Sequence, residues 1–314
     1  LNRVALEVAL VVIPRLRGLP SVTLGMVHAR AGGQLDFVGL CTELAPETEV
    51  EIRAAYGLDQ PVYSQDIDWV TSAATGDFGR SIITRDPVIS EIMERLPYTL
   101  VMGIMAFGVT LATAIPTGVI AAYYRNTKID QASRVFALLG IAIPNFLLGL
   151  LLLLVFASWL DLFPILPPTS QGIVSYDMLV YTLLPAITIG TGSTALLMRL
   201  MRSSMVEELD KDYVRTARAK GLPERTVVQK HVLRNSLISV VTVAAIQVAF
   251  IISGSVVVEI VFSYPGIGRL LVNRVGNRDF PVIQAIVLLI GVAVILANFV
   301  ADVLYAYLDP RIRY

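Results

Sequence analysis

Cysteine and histidine are nearly missing from this chain of 314 residues, which has one thiol, Cys41, and two histidines, His28 and His231. A lone cysteine excludes a disulfide framework, and two distant histidines leave no zinc ligand set. Charge is scarce too. Charged residues make up 16% of the sequence and sum to zero net charge, so the one-signed field that a nucleic-acid partner needs is missing. There is no Walker-type glycine loop, no nucleophile with a paired base and no metal cluster, and the chain reads as a non-enzyme without a cofactor of its own. Gly266-Ile-Gly268 lacks the following glycine and the strand and helix context of a nucleotide loop. Asp77-Phe78-Gly79 lacks the lysine strand and catalytic loop of a kinase.

Apolar residues are abundant, at 55% of the sequence with a mean hydropathy of +0.69. That balance predicts an all-α polytopic membrane protein. Five long apolar runs are expected to cross a bilayer: Tyr98 to Tyr124, Phe136 to Leu160, Met178 to Leu200, Leu237 to Phe262 and Val282 to Tyr307. Each reaches the length that about 30 Å of hydrocarbon requires, and only helices satisfy their own backbone there. Pro116, Pro144 and Pro185 fall inside three of the runs and are expected to bend them, and the Gly190-Thr-Gly-Ser-Thr-Ala195 patch permits close helix approach. A sixth span, first in the chain, is expected between about residues 4 and 29. Arg15 and Arg17 interrupt it, at roughly 2.5 to 3.5 kcal/mol each if they sat at mid-membrane. Residues 1–44 are thus taken as an N-terminal segment holding that first span, 45–97 as a polar extracytoplasmic region with short helices around Val50 to Tyr56, Val70 and Val88 to Met93, and 98–314 as the transmembrane core.

Positive charge sets the orientation. The Arg125 to Arg134 connection carries Arg125, Lys128 and Arg134; Arg199 to Arg234 carries nine Lys and Arg residues; Asp161 to Asp177 carries none. The positive-inside rule places the first two in the cytoplasm, along with both termini. Arg269, Arg274 and Arg278, on the expected outer side, run against that assignment.

The polar island Glu207 to Leu237, inside a cytoplasmic loop at 202–236, is the most distinctive stretch. Its first half, Glu208 to Lys220, is expected to form one short helix that Gly221 ends at a left-handed position, with Pro223 preventing continuation. Tyr213, Ala217 and Lys220 would share one face, with Lys211, Asp212 and Arg215 elsewhere. A second helix would begin at Glu224. A DNA-reading helix-turn-helix is excluded by the interspersed Glu207, Glu208, Asp210, Asp212 and Glu224 and by the flanking spans. A plain solvated loop remains the alternative reading.

The run Tyr213-Val-Arg-Thr-Ala-Arg-Ala-Lys-Gly221 resembles the EAA-type loop of ABC importer permeases, in the version of the dipeptide and oligopeptide family and its B-type subunit. Arg215, Thr216, Ala217 and Gly221 stand at the motif's Glu, Ala, Ala and Gly, and Arg234 follows Leu233 where a Pro would fall. Both departures are similar to those of the peptide-transporting branch. Gly57-Leu-Asp-Gln-Pro61, Gly76-Asp-Phe-Gly-Arg-Ser81, Glu259-Ile-Val-Phe-Ser-Tyr-Pro-Gly-Ile-Gly268, Asn277-Arg-Asp-Phe-Pro281 and Leu308-Asp-Pro-Arg-Ile-Arg-Tyr314 resemble the same family in order. Leu44-Ala-Pro46 followed by Glu47 and Thr48 matches its Leu-Ala-Pro-Gly-Asp-Pro only in part.

The resemblance implies a type I importer permease fold of about six spans in a prokaryotic inner membrane. It also implies a second homologous permease, two cytoplasmic ATPase subunits that bind ATP and Mg, an extracytoplasmic substrate-binding protein, and a peptide as substrate. Asp212, Tyr213, Arg215, Thr216, Ala217, Lys220 and Gly221 would then form the ATPase-coupling helix, seated in a hydrophobic cleft of the ATPase. Gln247, Ser253, Ser255 and Glu259 are candidates for the translocation path or an outer gate, with interhelical hydrogen bonding as the alternative. Nickel, glutathione or another small solute is the alternative cargo within the family; a gradient-driven carrier or channel acting alone is the alternative outside it.

Overall fold

The computed structural model describes residues 69–168 and 172–308. The expected first span and the short helices before residue 69 lie outside these residues, as do the C-terminal six. Among the described residues the chain is helical throughout, with a lone antiparallel bridge between Arg80 and Pro87. The principal helices are α1 (Val88–Tyr123), α2 (Lys128–Ala142), α3 (Asn145–Leu152), α4 (Tyr176–Leu209), α5 (Asp212–Ala219), α6 (Glu224–Thr226), α7 (Arg234–Val261), α8 (Ile267–Gly276) and α9 (Phe280–Leu308). Two π-helical segments, Leu153–Trp159 and Val227–Leu233, continue α3 and join α6 to α7.

Four helices are long and apolar enough to cross a membrane among the described residues: Val88–Tyr123, Tyr176–Leu209, Glu224–Ile252 and Phe280–Ala301. The second predicted run, Phe136 to Leu160, is not a single straight helix. It is a pair bent by 104°, Lys128–Ala142 and Asn145–Trp159, which counts as a fifth span if taken together. Pro144 causes the break, because it has no N–H to continue the ladder and forces Ile143 into an extended conformation with ψ 121°. Pro116 and Pro185, by contrast, lie within the unbroken helices α1 and α4.

The chain divides into two compact units. One takes in the described residues up to Leu96 and Leu270–Ile295; the other takes in Pro97–Arg269 and the described residues from Leu296. The first unit is pinned by buried Asp279, which accepts from the Ser81 hydroxyl and from the Ile82 N–H at 3.2 Å. Arg274 completes it, donating to Glu91 at 2.7 Å with Asp279 at 3.8 Å.

In the second unit α4 is the organiser. Of its most apolar window 61% is buried, against 28% to 33% for the other candidate spans. Ser175 caps it, accepting from the Met178 N–H at 3.3 Å. One buried cluster gathers Tyr181, Leu184 and Ile189 with Met102, Ile251, Phe262 and Tyr264; another gathers Met198, Met201 and Met205 with Val214, Ala217 and Val227. Close approach is built in by glycine. A Cβ at Gly118 of α1 would stand 2.7 Å from the Met201 Cβ and 2.9 Å from the Met198 carbonyl oxygen.

Gly118→Val should therefore lower thermal stability in detergent by about 1 to 3 kcal/mol through overpacking. Gly108→Ala, whose new Cβ meets nothing within 4 Å, should leave the melting curve unchanged or raise it. A thermal-shift series on the two variants compares them directly.

Candidate functional site

The first half of the island, predicted as one helix from Glu208 to Lys220, is divided between two. α4 runs to Leu209, the chain turns at Asp210 and Lys211, and α5 restarts at Asp212. Had the helix continued, Val214 would lie nine residues beyond Met205, about 180° round the axis from it at 100° per residue, and would face away from the core. The turn brings Val214 and Ala217 back onto the methionine cluster, where both are buried. Arg125 helps set the turn with two hydrogen bonds to Asp210, at 2.9 and 3.2 Å. That guanidinium holds the Asp210 carboxyl below its ordinary range. The tether is therefore whole at neutral pH and is lost only as pH falls through the depressed value.

The C-terminus of α5 is as expected. Gly221 sits at φ +76°, the Leu222 N–H reaches back to the Ala217 carbonyl at 3.4 Å, and the Gly221 N–H reaches that of Arg218 at 2.9 Å, a Schellman closure. Arg218 then spans the turn to Glu224 with two hydrogen bonds, at 2.7 and 3.0 Å. Beyond the turn, the i→i+5 coil of Val227–Leu233 runs directly into α7, and Val228, Val232 and Ser236, spaced four apart, are all buried.

The predicted face is thus split. Ala217 is buried, and Tyr213 is turned inward, its hydroxyl donating to Glu208 and accepting from the Asn235 amide at 3.0 Å. Lys220, expected beside them, is exposed at the C-cap, because α5 has already ended. Asp212, Arg215, Thr216, Lys220 and Gly221 form the outward surface. The apolar stripe of α5 is used up by the protein's own core, so what remains outward is mostly polar.

From the middle of α7 to its end the four path candidates are less uniform. Gln247, Ser255 and Glu259 are buried in the chain's own packing, Glu259 completely; the Ser253 side chain lies outside the described set. Glu259 accepts from Thr99 Oγ1 at 2.9 Å and from the Arg269 N–H at 3.0 Å, while Thr99 Oγ1 itself accepts from the Ile267 N–H at 2.9 Å. Gly266 is obligatory there, since a Cβ would lie 2.5 Å from both the Glu259 Cδ and Thr99 Oγ1. α7 stops in a second Schellman closure with Ser263 at φ 52° in the glycine position, and the Arg269 guanidinium donates to the Ser263 carbonyl. Glu259 therefore holds the segment from Tyr264 to Arg269 against α1.

Over residues 114–314 the sequence matches the family described as "Binding-protein-dependent transport system inner membrane component". The glutathione transport system permease protein GsiC of Escherichia coli (strain K12) is 43% identical over 273 residues, 86% of this chain and 87% of that protein. The chain belongs to this permease family. The protein of the same name from Shigella dysenteriae serotype 1 (strain Sd197) gives the same identity and coverage. Among solved structures, a chain in the crystal structure of an amino acid ABC transporter with histidines superposes with a TM-score of 0.49 at 11% identity, over 71% of this chain and 94% of that one. The permease is a multi-pass membrane component of an ABC transport system.

One element of the permease was not legible in advance. Asp130 is wholly buried and accepts from Arg134, Arg202 and the Asn126 N–H. Only the i,i+4 spacing of Asp130 and Arg134 hinted at it; Arg202 is 72 residues away.

Tyr213→Phe removes a hydroxyl with two hydrogen bonds, one of them to a carboxylate, and should loosen α5 by about 1 to 3 kcal/mol, read as faster amide exchange over 212–219 with the spans unchanged. Gly266→Ala should cost more, about 1 to 3 kcal/mol, and should show as lower thermal stability and accelerated exchange in 264–269.

Proposed function

We propose that this permease forms half of the translocation path of an ATP-driven importer of short peptides, with glutathione the first cargo to test. The observation that carries the coupling role is α5: a short polar-faced helix, anchored from behind by Val214, Ala217 and Tyr213, that presents Asp212, Arg215, Thr216, Lys220 and Gly221 outward. In this reading a second homologous permease completes the path, an extracytoplasmic binding protein delivers the peptide, and two cytoplasmic ATPase subunits bind ATP and Mg. Closure of the ATPase pair displaces α5 and shifts the spans between inward-open and outward-open populations. The surface offered to the ATPase is polar and charged, with exposed Leu222 beside it.

The charge distribution supports a cytoplasmic placement of α5 and of both termini. Two of the three arginines that ran against it are engaged within the fold: Arg274 by Glu91 and Asp279, and Arg269 by the Ser263 carbonyl. The naming of relatives at 43% identity as glutathione permeases favours glutathione, itself a short peptide, within the broader class of dipeptides and oligopeptides.

Gly221→Val is the sharpest test of coupling. Nothing lies within 4 Å of the added Cβ, so the change acts chiefly through left-handed backbone strain, about 1 to 2 kcal/mol or more for a β-branched side chain. The variant should reach the membrane at normal abundance and lose uptake of labelled glutathione and dipeptides while ATP hydrolysis continues. Wild-type uptake by that variant would refute the assignment, and a wild-type chain purified in mild detergent without ATPase activity would point to a self-sufficient carrier.

A further inference from the structure

Asp130 is a fully buried carboxylate at which three segments meet. Arg202 of α4 grips it through Nε at 2.6 Å and Nη2 at 2.7 Å. Arg134, one turn along α2, does the same at 3.2 and 2.7 Å. The Asn126 N–H, at a residue held left-handed with φ 64°, donates at 3.0 Å. Asp130 is also in the first turn of α2, where unpaired N–H groups favour a negative charge, and the Thr127 side chain provides no cap. Both carboxylate oxygens are saturated.

Such a device is poorly explained by stability. A buried ion pair roughly balances its desolvation, and well-packed apolar residues in its place are often as stable. What two bidentate grips do supply is a fixed geometry between the elements they join. Here those elements are functional neighbours. Arg202 is flanked on α4 by Met201 and Met205, which pack in the cluster that seats Val214 and Ala217 of α5. α2 leads in the other direction into the 104° bend and α3. The Arg125 to Asp210 tether joins the same two connections at the surface. A continuous load path therefore runs from α5 through the foot of α4 to Asp130 and on into α2.

We infer that the Asp130 and Arg202 pair is a positioning clamp that carries displacement of α5 into the bent α2 and α3 pair, making the two ends of the path move as one body. This rests on the coupling role proposed for α5. Asp130 is buried and the pair is not among the outward residues of α5, so its loss should leave ATP hydrolysis running and disconnect it from transport.

The test uses the assembled importer in proteoliposomes, with the second permease, the ATPase subunits and the binding protein. Nitroxides at Leu139 on α2 and Glu207 on α4 report the clamp by electron-spin distance measurement, independently of cargo. In the wild-type clamp the distance should be narrow and the same without nucleotide and with ATP. In Asp130→Asn it should shift and broaden when ATP binds, and labelled glutathione moved per ATP hydrolysed should fall about tenfold or more, the scale of ordinary coupling free energies. Asp130→Asn/Arg202→Gln removes both charges and carries the test if the single variant fails to accumulate. Wild-type distances that themselves change on ATP binding, or an assembled double variant with wild-type distance and transport ratio, would overturn the clamp. Absence of ATPase subunits from the wild-type complex would instead overturn the coupling role of α5, so the two failures are distinct.

Discussion

The burial of α4 is the constraint on which the rest depends. Among the four long apolar helices of the described residues it is the one whose most apolar window is mostly inside the protein, and it contributes side chains to both apolar clusters, Tyr181, Leu184 and Ile189 to one and Met198, Met201 and Met205 to the other. Met201 and Met205 are flexible enough to fill the irregular space between α1, α5 and the π-helical start of α7. Because α5 has only eight residues and would be marginal alone, its existence follows from that packing.

Polar groups then define where apolar packing cannot. Within the second unit the buried charges are each given several donors: Asp130 by two guanidiniums and a backbone N–H, Glu259 by a hydroxyl and a backbone N–H. Removing one partner from such a site leaves a buried charge uncompensated. The two sites sit at the two ends of the helical segments they join, one beside the loop that turns into α5 and one where α7 ends. Between them the helices meet through alanine, glycine and threonine, whose small size lets backbones approach, as at Gly190 against the Ala106 carbonyl, where a Cβ would come to 3.0 Å.

Much of the fold was legible because a bilayer permits so few structures. Long apolar runs had to be helices, and four of the five predicted runs correspond to single long helices. The Gly221 turn was legible for a similar reason, since only a residue without a Cβ adopts that conformation freely. The break of the second run was half legible: Pro144 announced a bend, but its size depends on what the two halves pack against. The unbroken course of α1 and α4 through Pro116 and Pro185 shows that proline alone does not decide.

By itself the sequence determined the membrane class, the family and the location of the exposed loop, because these follow from composition, length and local backbone chemistry. Only the tertiary structure decided which way the loop helix faces. A periodicity of 3.6 residues cannot show that the helix stops at Leu209 and restarts at Asp212, since that choice is made by Met205, Val214 and Ala217 finding one another across the turn. Nor can it show that Asp130 answers to Arg202, because the energy of a buried charge is set by donors brought from far along the chain, and sequence separation carries no record of that distance in space.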